Sequence, residues 1–136
     1  LAAYLFASPE HAAQVNAIIH PAVRRDFLRW TDAHSRSPVV AIESAILCES
    51  GFHTLVDSIL LVDAPLEVRL QRAMLRDGAC RQQVMARMAR QDSAQARQLA
   101  RFTVTNDGGN DQLLQACLES IVTQLQAEAG AMQDNK

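Results

Sequence analysis

Six arginines in one stretch of the sequence have the spacing of an anion-binding surface. They lie at helical intervals on both sides of Gly78, and they are Arg69, Arg72, Arg76, Arg81, Arg87 and Arg90. Two arginine-bearing helices that face each other could bind a polyphosphate, because each guanidinium donates paired hydrogen bonds to phosphate oxygens. The alternative is a solvated helical hairpin in which the arginines pair with Glu67, Asp77 and Asp92. The spacing alone leaves both interpretations open.

Polar side chains follow three short apolar runs, at residues 39–42, 58–63 and 102–105. They are Glu43 and Glu49 after the first run, Asp63 at the end of the second, and Asn106 and Gly108 after the third. Open α/β sheets bind ligands at the carboxyl ends of their strands. A carboxylate there can hold a metal, accept a hydroxyl proton or cap a helix, and capping or a surface ion pair is the simpler interpretation for any single one. Asp63, which precedes Ala64-Pro65, is the clearest capping candidate.

The elements that must position these residues alternate between strand and helix. The three apolar runs predict strands, and their lack of polar alternation is typical of a parallel sheet covered on both faces. The runs are separated by stretches with helical periodicity, at 65–77, 81–91 and 93–101, and a helix over 111–128 follows the last one. The pattern therefore predicts the α/β class with a parallel sheet.

The first third of the chain has helical signals only. Ser8-Pro9-Glu10 predicts a helix start, with serine as the N-cap and proline at the first helical position. His20-Pro21 predicts a break, because the residue before proline disfavours the helical conformation, and a second helix is expected over 21–33. The side chains expected to face inward there are Val23, Phe27, Leu28 and Trp30.

Composition excludes several classes of protein. The chain has 136 residues, of which 49% are hydrophobic and 21% charged, as expected for one globular domain and not for a disordered chain. A net charge of −2 excludes the global basic field of a duplex-binding protein, so no nucleic-acid partner is expected. The three cysteines lack zinc or disulfide spacing, which favours a reducing, cytoplasmic location, and no apolar run is long enough to span a membrane.

The order of the motifs resembles that of the dephospho-coenzyme A kinase family. Residues 5–21 resemble its "F-x-(D/N)-P-E … L-N-x-I-x-H-P", and residues 43–51 resemble "D-x-P-L-L-F-E-x-G". Residues 70–77 resemble "L-x-R-x-x-x-R-(D/N)", residues 87–91 the "R-(I/M)-x-x-Q" of the lid, and residues 104–108 "(I/V)-x-N-x-G". The likeness runs in order from residue 1 to about residue 125.

The resemblance implies a three-layer P-loop kinase fold and the transfer of phosphate from ATP to the ribose 3′-hydroxyl of dephospho-coenzyme A. Residues 1–37 would form the helical region that binds this substrate, with His20, Glu43 and Glu49 on the substrate side. Residues 38–129 would belong to the kinase core, with lid helices over about 66–100, and 130–136 would be a frayed tail. Arg72 and Arg76 would stabilise the transferred phosphate, and the ATP-binding residues would be Arg81, Arg87, Asn106 and Gly108.

The sequence also departs from the family pattern. Glu43 replaces an aspartate, Ala45 a proline and Cys48 an aromatic residue. No Gly-x4-Gly-Lys-Ser/Thr motif is present in these residues. The segment that mainly binds ATP and Mg²⁺, and that contains the catalytic base, would therefore be missing from them. The family's strand order is 2-3-1-4-5, and the three predicted strands would be the third, fourth and fifth.

Without the first strand, two inner strand edges would be exposed and could drive self-association. The chain also begins at Leu1 inside an apolar segment. We therefore expect a C-terminal portion of a kinase that is inactive alone. The alternatives are another nucleotide kinase of the same architecture and a non-catalytic binding module.

Overall fold

A computed structural model of the chain describes residue 4, residues 8–89 and residues 93–133. The chain falls into two compact units, Leu1–Val40 and Ala41–Lys136. Among the described residues, no helix is both long enough and apolar enough to cross a bilayer.

The first unit is built on one long helix, α1, at Pro9–Ala33. Ser8 caps it as predicted, since its hydroxyl accepts the His11 N–H at 3.2 Å, and Pro9 stands in the first turn. The predicted break at His20-Pro21 is wrong, because α1 continues through Pro21. Proline removes a single backbone donor, and the hydrogen bonds of the turns on both sides are sufficient to continue the helix.

Most apolar side chains of α1 are exposed. Val15 is its buried residue, whereas Val23, Leu28 and Trp30, which were predicted to face inward, are each more than 40% exposed. Phe27 is half-buried. A helix buries an apolar face only against another element, and the described part of this unit contains no second long helix or strand.

The second unit contains a two-stranded parallel sheet with helices around it. Strand β1 (Leu60–Asp63) pairs with β2 (Phe102–Thr105), with Leu60 opposite Phe102 and Asp63 opposite Thr105. The predicted α/β class and two of the three predicted strands are confirmed.

The prediction of a strand over residues 39–42 is wrong, since this segment has no regular secondary structure. A strand is defined by its ladder of hydrogen bonds, and the described residues provide no neighbouring strand for this segment. The strand order implied by the sequence resemblance is consistent with this result, because it separates the third strand from the fourth and fifth.

In the part of this unit that the structure describes, five helices accompany the sheet. They are a short 3₁₀ helix at Phe52–Leu55, α2 at Leu66–Asp77, α3 at Arg81–Met88, α4 at Ser93–Leu99 and α5 at Asp111–Gln133. Helix α2 ends at Gly78, as predicted, because this glycine adopts the left-handed conformation (φ +60°) that ends helices. Helix α5 extends beyond its predicted end, so the expected tail begins within the helix.

The core of this unit is small and is centred on α2, α3 and β2. Leu70 of α2 is fully buried, and Val84 of α3 and Val104 of β2 are buried as well. Leu75, an apolar residue of the same helix α2, is 86% exposed. Helix α2 packs against α3, and α5 packs against β2. Helices α2 and α3 form the arginine-bearing hairpin, and Arg72 of α2 hydrogen-bonds to Asn106, directly after β2.

Candidate functional site

The carboxyl ends of the two strands are joined by a backbone hydrogen bond. The Asn106 N–H, directly after β2, donates to the carbonyl oxygen of Asp63, the last residue of β1, at 2.8 Å. This bond extends the parallel ladder by one step and brings the loops after the two strands side by side. The sequence predicted that polar loop residues would collect at this edge of the sheet.

Arg72 connects helix α2 to the loop after β2. Its Nη1 donates to the carbonyl oxygen of Asn106 at 2.7 Å, and its Nη2 donates to Asn106 Oδ1 at 3.3 Å. Gly108 has φ +83°, and a Cβ atom there would lie 3.1 Å from Arg72 Nη2. The guanidinium therefore lies close against a residue without a side chain. Three predicted site residues, Arg72, Asn106 and Gly108, are thus brought together.

Asp63 binds an arginine that the sequence analysis did not single out. Its Oδ2 accepts a hydrogen bond from Arg97 Nη2 of α4 at 2.6 Å, and its Oδ1 accepts the Ala64 N–H at 2.9 Å. The hydrogen bond from Arg97 is the main cause that lowers the pKa of Asp63 below its ordinary value, and the charge of Arg69 adds to it. The predicted helix cap is wrong, because Ala64 precedes α2 and its N-cap is Pro65.

The predicted lid arginines are paired with carboxylates. Arg81 of α3 donates through both terminal nitrogens to Glu67 of α2, at 2.8 and 2.7 Å. Arg76 and Arg87 both bind Asp77, at 2.8 Å each. These are the pairs predicted for a salt-bridged hairpin, apart from Asp92, which lies outside the described residues, as does Arg90. Because a guanidinium has five N–H donors, such pairing still leaves donors for a phosphate.

Hydrogen bonds from the arginines shift the acidity of the hairpin carboxylates. Arg76 first, and then Arg87, lower the pKa of Asp77 to about 2. Arg81 likewise lowers the pKa of Glu67. Both carboxylates therefore carry a full negative charge at neutral pH, and the hairpin is a region of alternating charge.

The three predicted substrate-binding residues lie away from this arrangement in the chain. His20 is a half-buried residue of α1, in the first unit. Glu43 is exposed and follows the unpaired segment 39–42, and Glu49 is exposed in the turns between that segment and the 3₁₀ helix. Their assignment to a substrate site stays a prediction.

A groove of about 790 Å³ lies between β2 and the first half of α5. Its polar end is formed by Thr105, Asp107 and Asn110, next to the Asn106–Gly108 turn, and Leu113 and Ile121 are among its apolar residues. No local pattern in the sequence predicts this groove, because the groove forms between elements that start at separate points along the chain. Among the described residues, no three His, Cys, Asp or Glu side chains cluster so as to hold a metal ion, so no magnesium ligand is assigned.

Comparison with known proteins gives a consistent result. The family model for dephospho-CoA kinase matches residues 1–112. A dephospho-CoA kinase of Bacteroides fragilis is 48% identical over 109 residues, which are 79% of this chain and 53% of that protein. One of Deinococcus radiodurans is 35% identical over 93% of this chain and 62% of that protein.

Solved structures have the same fold. The crystal structure of TT1252 from Thermus thermophilus matches with a TM-score of 0.71 and 32% identity, over 89% of this chain and 63% of that one. A dephospho-CoA kinase from Campylobacter jejuni matches with a TM-score of 0.59 and 22% identity, which shows the fold alone. The chain spans between about half and two thirds of the length of the proteins that it matches.

Proposed function

The chain belongs to the dephospho-CoA kinase family, and from this premise we propose that it takes part in the transfer of phosphate from ATP to the ribose 3′-hydroxyl of dephospho-coenzyme A. The observation that carries the proposal is the bridge from Arg72 to Asn106, beside Gly108 and at the carboxyl ends of the strands. It supports a nucleotide site where the open sheets of α/β proteins bind ligands.

In this proposal the bridge and the hairpin bind different parts of ATP. Asn106 and Gly108 form the adenine side, next to the Arg72 guanidinium, which lies against Gly108 where a side chain would otherwise stand. Arg76, Arg81 and Arg87 contact the phosphates and offset the negative charge that spreads over their oxygens during transfer. Arg72, which contacts the adenine side through Asn106, and Arg76 would stabilise the transferred group.

A different region of the chain would bind the acceptor. We propose residues 1–37 as the region that receives dephospho-coenzyme A, with His20, Glu43 and Glu49 contributing contacts, and residues 38–129 as the core. Cys48, Cys80 and Cys117 form no disulfide, which supports a reducing, cytoplasmic location. The open edge of β1, with Val62 57% exposed, supports self-association through strand edges.

We further propose that these 136 residues do not complete the transfer by themselves. They contain no Gly-x4-Gly-Lys-Ser/Thr motif, whose backbone N–H groups and lysine bind the β- and γ-phosphates. A phosphate loop from outside these residues would therefore be required, and Mg²⁺ would be bound there and by the ATP phosphates. None of the roles given to this chain's residues depends on the metal.

The test is calorimetry followed by an activity assay. After light scattering has established the assembly state, the chain is titrated with dephospho-coenzyme A and, separately, with ATP and magnesium. The chain is then fused behind the phosphate-loop segment of the Bacteroides fragilis relative and assayed with dephospho-coenzyme A and with nucleoside monophosphates as acceptors.

We expect transfer to dephospho-coenzyme A by the fusion and none by the chain alone. Transfer to nucleoside monophosphates alone would replace the proposed substrate by that of another nucleotide kinase. No transfer to any acceptor, by a folded fusion that binds ATP, would favour a non-catalytic binding module. Ordinary turnover by the 136-residue chain alone would refute the need for an added phosphate loop.

A further inference from the structure

Asp77 is the one described carboxylate that binds an arginine from each helix of the hairpin. Arg76 donates through Nε to Oδ1 at 2.8 Å and through Nη2 to Oδ2 at 3.2 Å. Arg87 donates through Nη2 to Oδ2 at 2.8 Å. Asp77 is the last residue of α2, and Arg87 lies in the last turn of α3, so the carboxylate connects the two helices across the turn at Gly78.

The exposure of the three side chains shows which way the group faces. The Asp77 side chain is 24% exposed, whereas those of Arg76 and Arg87 are 76% and 50% exposed. The carboxylate therefore lies beneath two guanidiniums that face solvent. Asp77 engages Nε and Nη2 of Arg76, so the Nη1 donors of that residue are not used by the carboxylate.

We propose that Asp77 is a positioning residue that holds Arg76 and Arg87 together so that one polyphosphate chain can be bound by both. The proposal rests on the proposed function, since it concerns the same phosphate-binding arginines. Two neighbouring cations repel each other, and a shared carboxylate offsets that repulsion. It also fixes two long side chains before the ligand arrives, which reduces the entropy lost on binding.

Glu67, the other carboxylate of the hairpin, does not hold two arginines together. Glu67 binds Arg81, a single arginine, in a bidentate pair. Removing Glu67 would free one guanidinium, whereas removing Asp77 would release two and uncouple the helix ends. Glu128 gives a matched control outside the hairpin, because it forms a bidentate pair with Arg101 and its pKa is also lowered to about 2.

The proposal is tested by binding of inorganic tripolyphosphate and of monophosphate to the 136-residue chain, measured by calorimetry at low salt. Removing a carboxylate near the site adds one net positive charge, so simple electrostatics predicts tighter binding of both anions by Asp77→Ala. Positioning predicts the opposite for tripolyphosphate, about tenfold weaker binding or about 1.4 kcal/mol, because the two arginine side chains must then be immobilised when the ligand binds. Monophosphate, which is too short to need both arginines, should bind with little change.

Two further variants separate positioning from a structural role. Asp77→Asn retains one acceptor oxygen and should restore part of the tripolyphosphate affinity, while Glu128→Ala should leave it unchanged. Arg76→Gln and Arg87→Gln should be coupled in the presence of Asp77 and additive in the Asp77→Ala background. A fall in affinity caused by unfolding would instead affect both anions and would appear in the far-ultraviolet circular dichroism.

Unchanged or tighter tripolyphosphate binding by Asp77→Ala would overturn the positioning role, as would the absence of any tripolyphosphate binding by the unchanged chain. Neither result depends on which acceptor the fusion phosphorylates. Failure of the proposed function would appear as no transfer to dephospho-coenzyme A, with the Asp77 effect on tripolyphosphate intact.

Discussion

Replacing Gly108 by alanine tests whether the Arg72–Asn106 bridge is built as the structure shows. Gly108 has φ +83°, and an added Cβ atom would lie 3.1 Å from Arg72 Nη2. Gly78 provides the matched control, because it also has a positive φ, +60°, and no atom lies within 4 Å of its Cβ position. The two substitutions share the backbone strain and differ in the contact with Arg72.

The magnitude follows from these two contributions. A left-handed conformation costs an alanine about 1–2 kcal/mol, so Gly78→Ala should lower the free energy of unfolding by that amount. At Gly108 the guanidinium must also move by a few tenths of an ångström, which first breaks the longer bond, from Nη2 to Asn106 Oδ1 at 3.3 Å. A hydrogen bond of a charged group contributes about 1.5–3 kcal/mol when buried, and we reduce this to about 1 kcal/mol because Arg72 is exposed. We therefore expect Gly108→Ala to cost about 2–3 kcal/mol.

The assay is urea unfolding followed by circular dichroism, for both glycine variants in the unchanged chain and in an Arg72→Gln background. The additional loss at Gly108 should disappear in that background, because the guanidinium is absent, whereas the loss at Gly78 should not change. Equal losses for the two glycine variants would refute the reasoning. So would an additional loss at Gly108 that persists without Arg72.

Two further predictions concern the core and the response to acid. Leu70→Ala should lower the free energy of unfolding by about 2–5 kcal/mol, because the Leu70 side chain is fully buried. Leu75→Ala, at an 86% exposed site, should lower it by less than about 0.5 kcal/mol. Similar urea midpoints for the two variants would contradict the assigned core. The Arg101 hydrogen bonds lower the pKa of Glu128 from 4.5 to about 2, so its stabilising effect should be complete above about pH 5.5 and lost as the pH falls from 4.5 to 2. The urea midpoint should fall less steeply across that window in Glu128→Gln, and an unchanged slope would show that this pair does not contribute.

Local signals in the sequence predicted most of the elements correctly. Ser8 caps α1 through its own side chain, Gly78 ends α2 through its own φ angle, and β1 and β2 consist of short apolar runs. Each of these signals acts within a few residues, so it is visible without knowledge of the fold. The order of the motifs was also enough to identify the family.

Expectations from the sequence failed at positions where the local preference of a residue differs from the structure that the rest of the fold imposes on it. Pro21 disfavours a helix locally, yet α1 continues through it because the flanking turns retain their hydrogen bonds. Residues 39–42 favour a strand locally, yet the described residues provide no neighbouring strand to pair with them. Leu75 belongs to an apolar pattern, yet the packing of α2 leaves its side chain exposed.

The residue types of the site can be read from the sequence: the arginines of the hairpin, the carboxylates among them and the polar turn after β2. Which of these residues contact one another depends on the fold. Arg72 contacts Asn106, and Asp63 contacts Arg97, across 34 residues in each case. The physical reason is that parallel pairing of β1 with β2 brings distant loops to one edge of the sheet, and a pairing of that range has no local signature in the chain.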